Sequence, residues 1–308
     1  MTWLRRYFYF NRKRVKVMHK IAIIGAGNVG ITLGASLKKR GYNVAGVISR
    51  TPESAKRGAE IIGTEGYTEL FPLLQEANIV FITTPDRVIA QVCSKIVEAG
   101  GIKEGDLVIH TSGSHSSDIL TPARERGGVV MSVHPLQTIP SPEAGIRNLP
   151  GSYFAVEGDE RGISFVRDMI ESFEGHLVKI PTEMKPLYHA SACVVSNYFV
   201  AIIRLGLKMM EQIGLNKDEA LTALLPLIQG TMTNIEKVGV PEGLTGPIAR
   251  GDYSTIKDHL LVIDKEMKDI APLYRELGKF TVKVALEKGS IDEEHADQLL
   301  KTMEVDES

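Results

Sequence analysis

The sequence predicts two domains, an α/β domain built on a parallel sheet followed by an all-α domain, and three observations lead there. Ile21, Ala22, Ile23 and Ile24 form a short apolar run rich in β-branched residues, as expected of a strand buried on both faces. Gly25, Gly27 and Gly30 follow at once, and after them comes a helical pattern from Ile31 to Arg40 with apolar or small residues at Ile31, Leu33, Gly34 and Leu37. From Pro186 onward the chain carries long helical patterns and no convincing strand.

Strand, glycine turn and helix in that order form a G-x-G-x-x-G motif, and each glycine has its own reason. Gly25 lets the chain turn, Gly27 lets backbone approach a pyrophosphate, and Gly30 lets the helix sit close to the strand. The amides of the first helical turn, those of Asn28 and Val29 among them, then face the phosphates with the helix dipole behind them. The motif therefore predicts dinucleotide binding.

The chain of 308 residues is long enough for two domains of ordinary size. Its formal net charge of -2 argues against nucleic acid and membrane surfaces as partners and leaves small molecules. Cys93 and Cys193 lie in apolar helical patterns, which suits buried thiols in a cytoplasmic protein better than a disulfide or a metal site. No uninterrupted apolar stretch reads as long enough to span a bilayer. Residues 1–18 are basic and aromatic, with no acidic residue before the first strand, and are expected to be a disordered extension.

The domains are expected at 19–181 and 182–308. Asn43 to Ile48 is the second strand and ends in Ser49-Arg50-Thr51, about twenty residues beyond the glycines, where an NAD enzyme places an acid on the ribose 2′-hydroxyl. A hydroxyl, a guanidinium and a hydroxyl suit a 2′-phosphate instead, so NADP is expected. Thr51 also reads as a cap for the helix opening at Pro52. A helix is expected over Thr68 to Glu76. The strand Asn78 to Ile82 runs into Thr83-Thr84-Pro85-Asp86, with Thr84 and Pro85 expected beside the cofactor. A helix from Arg87 to Ala99 follows. Leu107 to His110 ends in Thr111-Ser112-Gly113-Ser114, and Val129 to Val133 ends in His134-Pro135-Leu136-Gln137. Three strands thus deliver polar residues to one edge of a Rossmann sheet, with Ser112 and Gly113 on the cofactor side and His134 on the substrate side. The segment from Ile139 to Gly151, rich in Pro, Gly and Ser, reads as a domain transition. Short strands at Tyr153 to Val156 and Leu177 to Ile180 flank a helix from Arg161 to Phe173.

The helix entered at Lys185-Pro186 is expected to run to about Ile213 and is apolar over most of its circumference, which predicts burial in a domain centre or a subunit interface. Lys185, His189 and Ser196 share one face of it, with Asn197 beside them. A lysine at a helix amino terminus faces the unfavourable end of the dipole, which favours proton transfer, so Lys185, His189 and Asn197 are the catalytic candidates. Further helices are expected at Asn216 to Val238, Tyr253 to Glu266, Pro272 to Lys288 and Asp292 to Met303. The loop from Leu244 to Asp252 carries Arg250 and Asp252, either as a carboxylate-binding site for substrate or as an ion pair that stabilises the loop.

The glycine motif, H-T-S-G-S at His110, H-P-L-Q-T at His134, K-P-L-Y-H-A-S-A at Lys185 and L-T-G-P-I-A-R-G-D at Leu244 together resemble Rossmann-like proteins with a helical C-terminal domain of unknown function. That family is similar to ketopantoate reductase, pyrroline-5-carboxylate reductase and the 6-phosphogluconate dehydrogenase superfamily. The resemblance implies a helical half like the 6-phosphogluconate dehydrogenase C-terminal domain. It also implies NADP and a small oxo acid or imine in the cleft between domains, and a homodimer formed through the helical half. Ketopantoate and β-hydroxyacid reductases place an Asn four residues after the catalytic Lys; here that position is His189.

Overall fold

The computed structural model describes residues 19–304, so the basic and aromatic extension expected at 1–18 lies outside the described residues. The chain divides into two compact units, the first ending at Tyr198 and the second beginning at Phe199.

The first unit is an eight-stranded sheet. Its strands are β1 (Lys20–Ile24), β2 (Asn43–Ile48), β3 (Glu65–Tyr67), β4 (Ile79–Ile82), β5 (Leu107–His110), β6 (Val129–Leu136), β7 (Tyr153–Gly158) and β8 (His176–Lys179), in the order β3-β2-β1-β4-β5-β6-β7-β8. From β3 to β6 every pairing is parallel; β7 then runs antiparallel to β6, with β8 parallel to β7. Strand order reverses between β1 and β4, which makes their carboxyl ends the switch point where ligands bind in open α/β sheets. The continuous apolar runs follow from burial on both faces. Ile21 and Ile23 join one core cluster with Phe81 and Ile109, while Ala22 and Ile24 join a second with Val80, Ile82 and Val108.

Helices α1 (Asn28–Lys39), α2 (Pro52–Ile62), α3 (Phe71–Leu74), α4 (Ile89–Glu98), α5 (Thr121–Arg124), α6 (Pro142–Asn148) and α7 (Ile163–Ser172) connect the strands. Several expectations need correction. The helix expected over Thr68 to Glu76 is only α3, because Pro72 sits in its first turn and starts the helix there. Residues 68–70 are bends that follow the edge strand β3. The segment expected as a domain transition instead holds α6, with Ser141 capping it by accepting from the Ala144 amide at 3.2 Å. A side chain at Gly145 would overlap Thr32 of α1, so α6 packs inside the first unit. The strand expected to stop at Val133 continues through Leu136. Beyond Ser132 it pairs only with β7, which leaves Pro135 on the unpaired side, where a missing amide costs nothing.

The expected single helix from Lys185 is α8 (Lys185–Cys193), a π-helical turn at Val194–Tyr198, and then α9 (Phe199–Gln212). Contrary to the expectation from sequence, the helical run Thr182–Gln212 is long and apolar enough to cross a membrane by length and composition, since the helical segments join without a break. The second unit continues with α10 (Lys217–Val238), α11 (Tyr253–Glu266), α12 (Ala271–Lys288) and α13 (Glu293–Thr302). Asn216 opens α10 with a capping box shared with Glu219. The core of this unit comes from α11 to α13 through Ile256, Leu260, Val282, Ala285 and Leu299. The helices α9 and α10 bury only Leu207 and Ala220 between them.

Candidate active site

Two features of the first unit meet at the carboxyl edge of the sheet, a cavity at the glycine turn and a buried polar cluster beside it. The glycine turn is shaped by close approach. Gly25 has φ of 116°, a left-handed conformation that favours glycine. A Cβ on Gly30 would overlap the Gly25 carbonyl and the Thr83 hydroxyl, so α1 lies against the turn only because Gly30 has no side chain. A Cβ on Gly27, by contrast, would meet nothing within 4 Å, since it projects into open space before the amino terminus of α1. Val29 packs on the core, and the Asn28 side chain donates to the Pro140 carbonyl at 2.8 Å, which leaves their contribution to the main chain.

The cavity, about 540 Å³, is lined by the glycine turn, by Ser49 and Arg50 after β2, by Thr83, Thr84 and Pro85 after β4, and by Arg87, Gln91 and Lys95. No carboxylate lines it. The Thr84 hydroxyl is buried without a partner, an orphaned polar atom that a ligand would satisfy. These residues fit a dinucleotide: open glycine backbone at a helix amino terminus for the pyrophosphate, and a cation without an acid at the end of β2. Thr51 does not line the cavity; its hydroxyl caps α2 by accepting from the Ser54 amide at 3.3 Å.

Asp86 links the cavity to the polar cluster, accepting from the Ser112 hydroxyl at 2.8 Å and the Ser114 hydroxyl at 3.2 Å. Ser112 is the hub. Its hydroxyl also accepts from the amides of Ser114 and His115, its own amide donates to His110 Nδ1 at 3.1 Å, and its carbonyl accepts from Lys185 Nζ at 3.0 Å. Lys185 is 0% exposed and donates a second hydrogen bond to the hydroxyl of Ser132 on β6. Its pKa falls to about 8, chiefly because burial penalises the ammonium, with Glu157 and Asp86 opposing the shift. Burial, rather than the helix dipole expected from sequence, is therefore the main cause. Glu157 is itself buried and saturated by the amide and hydroxyl of Ser117 and the hydroxyl of Thr182.

His134 and His189 close the cluster with their rings edge to face at 5.8 Å. His134 Nδ1 lies 2.8 Å from the Tyr188 hydroxyl, while His189 Nδ1 is buried without a partner and its Nε2 lies 3.7 Å from Cys193 Sγ. A Cβ on Gly113 would overlap His189 Nδ1 and meet His134 Nε2 at 3.0 Å, so the absent side chain at Gly113 makes room for both rings. Burial, assisted by the Lys185 charge, lowers both His110 and His134 to about 4, and burial raises Tyr188 to about 12. His134, held neutral, therefore bears a single ring proton, and its Nδ1 shares the Tyr188 hydrogen bond.

The structure thus gathers Lys185, His189, His134, Ser112 and Gly113 in one unit, but not Asn197. That side chain is exposed in the π-helical turn and makes no hydrogen bond with the cluster. The wider turn resets the helical phase, so spacing counted from Lys185 no longer marks a shared face there. Arg250 and Asp252 lie in the second unit. Asp252 caps α11, accepting from the Thr255 amide at 3.1 Å and the Thr255 hydroxyl at 2.6 Å; Arg250 is exposed, and among the described residues no ion pair joins the two. Sequence reasoning missed Asp86, Tyr188, Arg87 and Lys95. The four-residue recurrence of Arg87, Gln91 and Lys95 was the one available signal.

The two-part organisation agrees with what known proteins show. Residues 11–135 match the Rossmann-like domain, and residues 152–281 match a domain of unknown function, DUF2520. No curated protein sequence matches the chain. Among solved structures, a protein from Thermotoga maritima is 28% identical with a TM-score of 0.68, covering 87% of this chain and 99% of its own. A Bacteroides fragilis protein, provisionally described as an NADP oxidoreductase, is 24% identical with a TM-score of 0.68 and covers 86% of this chain and 98% of its own. The pyrroline-5-carboxylate reductase of Coxiella burnetii shares the fold at 15% identity and a TM-score of 0.58, covering 94% of this chain and all of its own (100%). The chain is a Rossmann-like domain followed by a helical DUF2520 domain.

Proposed function

We propose that this protein is an NADPH-dependent reductase of a small oxo acid, similar in type to ketopantoate reductase. The observation that carries the reading is the cavity at the glycine turn, which holds cations and no carboxylate. The provisional description of the Bacteroides fragilis protein as an NADP oxidoreductase agrees with it. NADPH, when bound, supplies the hydride. Arg50 holds the 2′-phosphate with paired donors, Ser49 adds a hydroxyl, and the turn from Gly25 to Gly30 takes the pyrophosphate.

The chain's own residues handle substrate and proton. His134 presents Nε2–H to the substrate oxygen, with Tyr188 fixing its tautomer. Lys185 is the proton source: near neutral pH it is charged, while His110 and His134, with pKa values of about 4, lack the second ring proton that would make them acids and offer only a neutral N–H as a hydrogen-bond donor. His189 stands where related reductases carry Asn and packs His134 against Gly113. We also propose that two copies associate through the second unit, whose α9 and α10 leave Val200, Ile202 and Leu227 exposed.

The test is NADPH oxidation by the purified chain against a panel of 2-oxo acids, 3-oxo acids and cyclic imines. Turnover of an oxo acid supports the proposal. Turnover only of a cyclic imine would instead make the chain an imine reductase, the activity named for the Coxiella burnetii structure. NADPH binding without turnover of any member would point to a regulatory NADP-binding protein.

A further inference from the structure

Arg50 is one of three cations on the cavity, and the other two come from a different element. Arg87 lies in the 3-10 turn before α4 and Lys95 in the last full turn of that helix, where it shares a face with Gln91 four residues earlier; all three line the cavity. The opposite face of α4 carries Ile89, Cys93 and Ile96 into the core, which fixes the helix and turns the cationic row toward the cavity. We infer that Arg87 and Lys95 complete, with Arg50, a three-cation seat for the adenosine 2′-phosphate and set the preference for NADP. This rests on the cofactor reading given above.

What separates the seat from an ordinary solvated face is that its three cations border one cavity. Arg50, Arg87 and Lys95 make no ion pair or side-chain hydrogen bond among the described residues, although all three border one cavity. That cavity also has no acidic lining residue to balance them. Three like charges around one space repel one another, and a phosphate monoester carrying nearly two negative charges relieves that repulsion. The diphosphate of the cofactor is taken by the glycine turn, so the surplus charge calls for a further anionic group. A ribose with a free 2′-hydroxyl would offer none.

The test uses the full chain and ligands that differ only in that group. Calorimetric titration with adenosine 2′,5′-bisphosphate and with AMP is compared for the natural chain, Arg87→Gln and Lys95→Gln, alongside NADPH and NADH. The natural chain is expected to bind the bisphosphate at least about tenfold more tightly than AMP. Each substitution should weaken the bisphosphate and NADPH by about fivefold or more and leave AMP and NADH within about twofold, with a shallower salt dependence for the bisphosphate. Unchanged bisphosphate affinity in both variants, or equal losses for bisphosphate and AMP, would overturn the seat while leaving the dinucleotide site standing. A natural chain that binds none of the four ligands overturns the seat and the cofactor reading together.

Discussion

Acid should loosen the first unit through His110, and the size of the effect follows from its surroundings. The ring is 0% exposed; Nδ1 accepts from the Ser112 amide, and Nε2 donates to the Ser116 carbonyl at 3.1 Å. A second proton would have to sit on Nδ1, against an N–H that already points at it, beside the charge on Lys185. Accordingly the pKa is lowered from 6.5 to about 4 by burial first and by Lys185 second. In the unfolded chain His110 takes up a proton near pH 6.5, whereas the folded chain resists until about pH 4. Stability from this group is therefore complete above pH 6.5 and lost as pH falls through that window, by about 3 kcal/mol in all. The assay is urea denaturation at steps from pH 7.5 to 4 for the natural chain and for His110→Gln, which keeps a donor for Ser116 and does not titrate. The difference in stability between the two should shrink by about 3 kcal/mol over that range. A constant difference, or a His110 ring signal titrating near 6.5 in NMR spectra of the folded protein, would refute the reasoning.

Lys185 acts in the alkaline range with the same direction. Its pKa is about 8 when folded, against an ordinary value of 10.5, so the unfolded chain holds the extra proton between those values and stability should rise with pH across that window. Lys185→Met should abolish the rise, and in the natural chain NADPH oxidation should decline above pH 8 as the proton source empties. Gly113→Ala should displace both histidine rings at a cost of about 1–3 kcal/mol, read as a lowered Tm; an unchanged Tm would mean that the rings do not need that space. Gly27→Val should abolish binding of both NADPH and NADH with little loss of stability, because its side chain enters space that no protein atom fills. Finally, the full chain should sediment at twice its monomer mass, and Val200→Asp, at a position 67% exposed, should give monomers; a natural chain that sediments as a monomer at micromolar concentration would refute the association.

Residue order alone made the α/β half legible, because its signals are local. A strand buried on both faces must be apolar throughout, so Ile21 to Ile24 and Val80 to Ile82 announce themselves. Gly25, Gly27 and Gly30 are spaced by the geometry of one turn. The helical half was equally plain from its periodicity and from the proline entrance at Lys185-Pro186, whereas the capping roles of Asn216 and Asp252 emerged only in the structure. Short-range chemistry is harder to read where a neighbour intervenes. The strand β3 is three residues at a sheet edge with little hydrophobic pattern, and the π-helical turn at Val194–Tyr198 broke the spacing that had grouped Asn197 with Lys185. The site itself depended on folding. Ser112 meets Asp86, Lys185 and His110 across separations of 26, 73 and 2 residues, and only the last is visible as a spacing. Burial decided the rest: the same lysine, read along the helix, answers to a dipole, but enclosed between β5 and β6 it answers to the loss of water, which sets its pKa and its partners. Residue order specifies which groups exist and how neighbours along the chain are spaced, whereas desolvation and contact between distant strands arise only once the sheet has assembled.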